Sequence, residues 1–157
     1  MLSLIINPSS IVSFSNAYNG RHVFVEKLMS YIEIDSYGRC LNNRAMSGKS
    51  TAKIYSRYKF VLAIENSNCE DYVTEKLVEA FSSTSIPIVA GRDGKPDYRR
   101  FAPEHSYINI YDYPTMEQLV AYLTYLSNNQ TAYDEYLWFR PTRKNETVKY
   151  KKIRRFL

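Results

Sequence analysis

The segment from Tyr58 to Phe81, YKFVLAIENSNCEDYVTEKLVEAF, gathers side chains of several chemical kinds. An apolar run ends in the polar residues Glu65 to Ser67, and a second polar group, Thr74 to Lys76, follows a few residues later. Carboxylate, amide, hydroxyl and ammonium groups are costly in a protein core unless each one is paired. Together they can bind a polar ligand that carries phosphate and hydroxyl groups. The segment therefore predicts a binding site for such a ligand.

The elements around this segment are predicted to alternate between strands and helices. Apolar, β-branched runs predict strands, and apolar residues at helical spacing predict helices. The predicted strands are 11–16, 33–38, 59–65, 86–91 and 106–110, and the predicted helices are 20–32, 72–83, 115–129 and 131–140. Repeated strand-helix units of this length predict an α/β fold, a Rossmann-like parallel sheet flanked by helices.

This architecture predicts where the polar segment lies. Ligands of open α/β sheets bind beyond the carboxyl ends of the strands, and Glu65 to Ser67 follow such an end. A helix that begins near Tyr72, with Asp71 or Thr74 as its cap, directs its amino terminus to the same crevice, where free N–H groups favour a phosphate. Lys76 adds a positive charge one turn later. A capped helix with solvated charges is the alternative that these residues alone leave open.

The same helix has one face that must pack on the sheet. On a helical wheel Val73, Leu77, Ala80 and Phe81 share this face. Glu75 lies away from it, where its carboxylate can meet ligand hydroxyls or solvent.

Length and charge describe one domain with a basic tail. A chain of 157 residues is the size of one ordinary domain, and its formal charge of +5 is concentrated in 140–157, RPTRKNETVKYKKIRRFL. Because the remainder is close to neutral, we do not expect a nucleic-acid binder. We predict a ligand-binding domain over 1–140 and an extended or loosely helical tail over 141–157.

Motifs for other chemistries are incomplete. The run SGKST, Ser47 to Thr51, resembles the end of a Walker A loop, but Asn43 occupies the position of the required glycine. The sequence has no D-x-D pair, and His22 and His105 lack ligand-spaced partners. We therefore predict no metal site and no required cofactor, and leave open whether a divalent ion stimulates the protein. A bound diphosphate would then be neutralised by cationic side chains and the helix dipole.

The cysteines and the N-x-Thr triplets do not decide in which cellular compartment the protein lies. Cys40 and Cys69 permit one disulfide or two thiols and lie in no metal-binding pattern. Asn129 and Asn145 begin N-x-Thr triplets, which are N-glycosylation acceptors if the chain enters the secretory pathway. The first 16 residues have no basic leader or cleavage site, and no apolar run approaches the ~20 residues of a membrane span, so we expect neither signal peptide nor anchor.

The segment from Tyr58 to Phe81 closely resembles the signature of the α1,3/α1,4-fucosyltransferases, glycosyltransferase family ten, which reads Y-K-F-x-L-x-F-E-N-S and then D-Y-(I/V)-T-E-K-L. Ile64 replaces the usual aromatic residue. The resemblance continues in VSFSNAYNGRHVFVEKL, in IEIDSYGRCLNN and in the closing half of the chain, and covers 12–140. Cys40 falls at the family's cysteine position, and Cys69 lies in its variable stretch.

The resemblance implies a site for GDP-fucose. It implies that Arg21 and Lys76 contact the diphosphate and that Asn66, Tyr72 and Glu75 hold the nucleotide-sugar. The reaction it implies is inverting transfer of L-fucose to a GlcNAc hydroxyl of a glycan. No carboxylate in this sequence, including Glu65 and Glu75, is an obvious base for it.

The resemblance also implies the rest of the protein. Family members resemble a two-domain GT-B enzyme of the Golgi membrane, with its domains on the lumenal side, in which an amino-terminal domain binds the acceptor and supplies the base. We expect this sequence to be the donor-binding, carboxyl-terminal half. Two alternatives remain: a catalytically inactive sugar-nucleotide-binding module, and a structural α/β domain whose basic tail meets an anionic partner such as membrane lipid.

Overall fold

A computed structural model describes residues 4–6, 20–37, 51–91 and 95–140 of the chain; for 4–6, 51 and 52 it describes the backbone alone. Outside these residues lie the predicted strand 11–16, Cys40, Asn43, residues 47–50 of the run SGKST, and the tail 141–157, which includes Asn145.

The described elements alternate along the chain as an α/β fold requires. The strands are β1 Leu4–Ile6, β2 Ile34–Ser36, β3 Phe60–Leu62, β4 Ile86–Val89 and β5 Ile108–Asn109. The helices are α1 Arg21–Met29, α2 Thr51–Tyr55, α3 Glu75–Phe81, α4 Met116–Asn128 and α5 Gln130–Glu135, with 3-10 turns at Tyr98–Arg100 and Ile110–Asp112. Within the described residues, none of the helices has the length and apolarity to span a membrane.

The five strands form one parallel sheet in the order β2-β1-β3-β4-β5. The prediction of a parallel sheet flanked by helices is therefore confirmed. The sequence analysis did not predict β1, whose three residues are too short a run to show a period. Because β2 and β3 lie on opposite sides of β1, the strand order reverses between β1 and β3, and ligands of open sheets bind beyond the carboxyl ends at such a point.

Strand β3 is buried on both faces of the sheet. Phe60 and Leu62 pack in one apolar cluster with helices α1 and α4, and Val61 and Ala63 pack in a second cluster with helix α3. This alternation follows from the two-residue period of a strand. The residues that leave β3 are therefore held on a rigid support.

The helix after β3 begins later than the sequence analysis predicts. Helix α3 begins at Glu75 instead of near Tyr72, and Thr74 is its N-cap residue. Neither predicted cap is formed: the Thr74 side chain accepts no backbone N–H of the helix, and Asp71 pairs with Arg100 instead. The cause is tertiary, because the Thr74 hydroxyl donates to Glu65.

The packing face of this helix is as predicted. Leu77 and Ala80 are buried, and Val73 and Phe81 pack against the same cluster. Helix α5, in contrast, ends at Glu135 and not at 140, because the chain continues in tighter turns such as Leu137 N–H to Asp134 O (2.9 Å).

Replacing Asn129 by Ala is expected to lower the free energy of unfolding by about 1 kcal/mol, the usual worth of an N-cap. Asn129 caps helix α5, since its Oδ1 accepts the N–H of Ala132 at 3.1 Å. Its Nδ2, the atom a glycan would use, donates to the Tyr125 hydroxyl at 3.1 Å, and glycosylation there stays a prediction. Thermal unfolding of Asn129→Ala beside Asn128→Ala, at an exposed helical position, checks this; equal losses would contradict the cap.

Candidate functional site

A buried carboxylate joins the end of strand β3 to the start of helix α3. Glu65 is only 1% exposed. Its Oε1 accepts the backbone N–H of Thr74 at 2.8 Å, and its Oε2 accepts the Thr74 hydroxyl at 2.7 Å. The same Oε2 accepts a hydrogen bond from Lys76 Nζ at 3.1 Å. With three hydrogen bonds accepted, Glu65 is poorly suited to remove a proton from a substrate.

The ammonium group of Lys76 is buried beside this carboxylate. Lys76 is 2% exposed, and its Nζ also donates to Thr74 Oγ1 at 2.8 Å. Glu75 Oε1 lies 3.5 Å from Nζ, on a side chain that is 57% exposed. The positive charge that the sequence predicts at this position is therefore already paired and held in place.

Arg21 reaches the same strand end from the opposite helix. It is the first residue of α1 and is 2% exposed, and its Nη1 donates to the carbonyl of Ile64 at 3.2 Å and to Oδ1 of Asn66. Burial lowers the pKa of Arg21, whereas the charges of Glu65 and Tyr72 act to raise it. Arginine keeps its charge under such shifts. The structure thus brings Arg21 into contact with Asn66.

A surface loop connects the two halves of the site. Tyr72 is exposed on this loop, whose turn is closed by the Tyr72 N–H to Cys69 O bond at 3.3 Å. Asp71 forms an ion pair with Arg100. Cys69 is an exposed free thiol. The loop therefore places Tyr72 and Glu75 at the surface above the buried cations.

A small cavity opens beside Arg21. It measures about 110 Å³ and is lined by Gly20, Arg21, Phe24, Ile64, Asn68, Ala90, Ile110 and Tyr111. Ligand pockets usually measure roughly 300–1,000 Å³, so this cavity is smaller than a typical ligand pocket.

Several cavity-lining residues escaped the sequence analysis. Ala90 directly follows β4, and Ile110 and Tyr111 directly follow β5. The rule that ligands lie beyond carboxyl strand ends would have found them, but it was applied to β3 alone.

The site contains two buried cationic side chains, Arg21 and Lys76. Lys76 is paired with the buried Glu65 carboxylate, whereas Arg21 contacts the Ile64 carbonyl and Asn66. Within the described residues, no group of three or more His, Cys, Asp or Glu side chains is placed to hold a metal ion. The roles of Arg21, Asn66, Tyr72, Glu75 and Lys76 toward a ligand stay predictions.

A parallel α/β sheet with cationic side chains beyond the carboxyl ends of its strands is an arrangement that phosphate- and nucleotide-binding domains use. The sequence profile described as glycosyltransferase family 10 (fucosyltransferase) C-term matches residues 8–156. The chain therefore belongs to glycosyltransferase family 10, and it corresponds to the carboxyl-terminal domain of that family. The family resemblance found in the sequence is thereby confirmed.

Curated relatives agree with this assignment. The chain is 38% identical to glycoprotein 3-alpha-L-fucosyltransferase A of Drosophila melanogaster over an alignment of 135 residues. This alignment covers 83% of the chain and 27% of the relative. The chain is also 34% identical to GDP-fucose protein O-fucosyltransferase 3 of Gallus gallus over an alignment of 137 residues. This second alignment covers 81% of the chain and 28% of the relative. The chain thus spans just over a quarter of the length of these relatives.

A solved structure shares the fold. The crystal structure of an α1,3-fucosyltransferase with GDP-fucose aligns with a TM-score of 0.71 and 24% sequence identity, over 99% of this chain and 45% of that one. The fold is that of the carboxyl-terminal half of a GT-B glycosyltransferase.

Proposed function

We propose that this chain binds GDP-fucose and forms the donor half of a fucosyltransferase. The observation that carries the proposal is the pair of buried cations beyond the end of β3, Arg21 held by the Ile64 carbonyl and Lys76 held by Glu65. A diphosphate is the part of GDP-fucose that such a pair recognises best, because charge-assisted hydrogen bonds are roughly twice as strong as neutral ones.

We assign each of the predicted site residues a contact with one part of GDP-fucose. Arg21 and Lys76 bind the diphosphate, and Asn66, fixed by Arg21, presents its amide beside it. Tyr72 and Glu75, both exposed, contact the nucleotide-sugar, with the Glu75 carboxylate accepting hydrogen bonds from sugar hydroxyls.

In the proposed reaction the anomeric centre is inverted. A base takes the proton of an acceptor hydroxyl, that oxygen bonds to the anomeric carbon of fucose, and the bond from that carbon to GDP breaks. Arg21 and Lys76 stabilise the charge that develops on the leaving diphosphate. Since Glu65 is occupied by Thr74 and Lys76, we assign the base to the acceptor-binding part of a complete enzyme.

The acceptor and the compartment are finer parts of the proposal. We favour a GlcNAc hydroxyl of a glycan, and the Drosophila relative is named as a glycoprotein fucosyltransferase. The Gallus relative is named as a protein O-fucosyltransferase, so direct transfer to a protein hydroxyl is the competing outcome. We propose the lumenal side of the Golgi membrane as its location, which the chain would reach through the secretory pathway, where the sequons at Asn129 and Asn145 are acceptors for N-glycosylation.

Calorimetric titration of the 157-residue chain tests the proposal. GDP and GDP-fucose should bind, UDP should bind at least about tenfold more weakly, and EDTA should leave the GDP affinity unchanged. Circular dichroism verifies that the titrated chain is folded. A folded chain that does not distinguish GDP from UDP would overturn the donor assignment. Fucose transfer by this chain alone would overturn the assignment of the base elsewhere.

A further inference from the structure

We propose that Glu65 is a positioning residue, which fixes the start of helix α3 and the ammonium of Lys76 for a diphosphate. The inference rests on the proposed function and adds to it a residue that contacts no ligand. Glu65 acts through two side chains, Thr74 and Lys76.

The start of helix α3 is held by a carboxylate from outside the helix. In a capping box, the residue three positions after the N-cap is Glu or Gln, and its side chain accepts the backbone N–H of the N-cap residue. Here the N-cap is Thr74, and the corresponding position is the buried, apolar Leu77. Glu65 supplies the missing carboxylate from strand β3, since its Oε1 accepts the Thr74 N–H at 2.8 Å. The helix start is therefore fixed by the sheet.

The ammonium group of Lys76 is held by two side chains. Lys76 Nζ donates to Glu65 Oε2 at 3.1 Å and to Thr74 Oγ1 at 2.8 Å, and the Thr74 hydroxyl donates to the same Oε2 at 2.7 Å. These three groups close a ring of hydrogen bonds. An exposed lysine has a flexible four-carbon side chain, whereas this one is buried and held at its charged end. Such preorganisation removes part of the ordering cost of ligand binding.

The proposal makes a prediction opposite to that of simple charge. Removing a carboxylate near a diphosphate site would strengthen GDP binding if Glu65 acted only as a negative charge. If Glu65 positions Lys76, its removal weakens GDP binding instead. Replacing Glu65 by Gln keeps the side-chain size and changes the net charge by +1.

Calorimetry on Glu65→Gln, with Glu70→Gln as the matched control, distinguishes these cases. Glu70 is an exposed carboxylate on the same loop, so its loss changes the net charge equally. We expect Glu65→Gln to weaken the binding of GDP about tenfold. The binding of GMP should weaken less, since GMP lacks the second phosphate. Glu70→Gln should change the affinity for either nucleotide by about twofold or less. Unchanged or tighter GDP binding, or equal losses for GDP and GMP, would overturn the proposal.

A second pair of variants covers the case in which Glu65→Gln does not fold. Thr74→Val removes the hydroxyl from the ring, and Thr74→Ser keeps it. We expect Thr74→Val to weaken GDP binding and Thr74→Ser to retain it; equal affinities would contradict the ring.

Amide exchange measures the anchor without any ligand. In wild type the Thr74 N–H should be protected, and in Glu65→Gln it should exchange about tenfold or more faster, while amides of strand β3 keep their protection. If wild type does not bind GDP, the proposed function fails, and the Thr74 amide still decides the anchor. An unprotected Thr74 amide in wild type would overturn it.

Discussion

Replacing Lys76 by Met should weaken GDP binding by an order of magnitude or more and destabilise the fold. The loss of affinity follows from the loss of a charge-assisted contact, worth roughly 1.5–3 kcal/mol. The loss of stability follows from the buried Glu65 carboxylate, which lies 3.1 Å from Lys76 Nζ and would lose its cation. Removing one partner of a buried ion pair lowers the free energy of unfolding by about 3–5 kcal/mol.

A double variant separates the two effects. Glu65→Gln combined with Lys76→Met removes both buried charges, and such neutral replacements are often tolerated. We therefore expect the free energy of unfolding to recover toward wild type while GDP binding stays weak. Denaturant unfolding and calorimetry on the single and double variants measure this. GDP affinity that recovers together with stability would show that Lys76 acts only on the fold.

Glu75→Gln provides a contrast at the neighbouring position. The Glu75 side chain is 57% exposed, so its change should leave stability nearly intact. We expect weaker binding of GDP-fucose relative to GDP, because the proposed Glu75 contact is to sugar hydroxyls. Titration with both ligands checks this; equal changes for the two would remove Glu75 from the fucose contact.

Arg21→Lys should have the second large effect, although it conserves the charge. Arg21 Nη1 donates to both the Ile64 carbonyl and the Asn66 amide oxygen, and a lysine, whose shorter side chain ends in a single tetrahedral nitrogen, does not reach both acceptors in this geometry. Leaving a buried acceptor without its donor costs about 1–3 kcal/mol. We expect that loss in stability and about a tenfold loss in GDP affinity.

Arg99→Lys is the matched control for this substitution. Arg99 is exposed and pairs with Asp97 on the surface, at 2.8 Å between Nε and Oδ1. Exposed pairs contribute little, so the control should change neither unfolding nor GDP affinity. An Arg21→Lys variant that behaves like the control would show that the two hydrogen bonds from Arg21 Nη1 have no role.

The position of the polar cluster could be predicted because it depends on local patterns. The apolar run before Glu65 identifies a buried strand, and the parallel-sheet rule places its carboxyl end at the ligand crevice. The contact between Arg21 and Asn66 joins residues 45 positions apart, and only the family resemblance assigned both residues to one site.

The features that the sequence analysis missed have tertiary causes. The start of helix α3 was placed near Tyr72 because capping rules are local, whereas Glu65 takes both the N–H and the hydroxyl of Thr74. The pairing of Lys76 with Glu65 joins residues 11 positions apart, and the local pattern does not indicate it. Strand β1 contributes only three residues, and its partners in the sheet define it.

Mapping bound GDP-fucose by amide chemical shifts tests the central claim most directly. In the assigned 157-residue chain, we expect the largest shift changes at the start of α1 and over 64–76, where Arg21, Asn66 and Lys76 lie. The amino ends of the strands, represented by Ser85, should not change. Shift changes centred near Ser85, or none at saturating ligand, would contradict a donor site at the carboxyl end of β3.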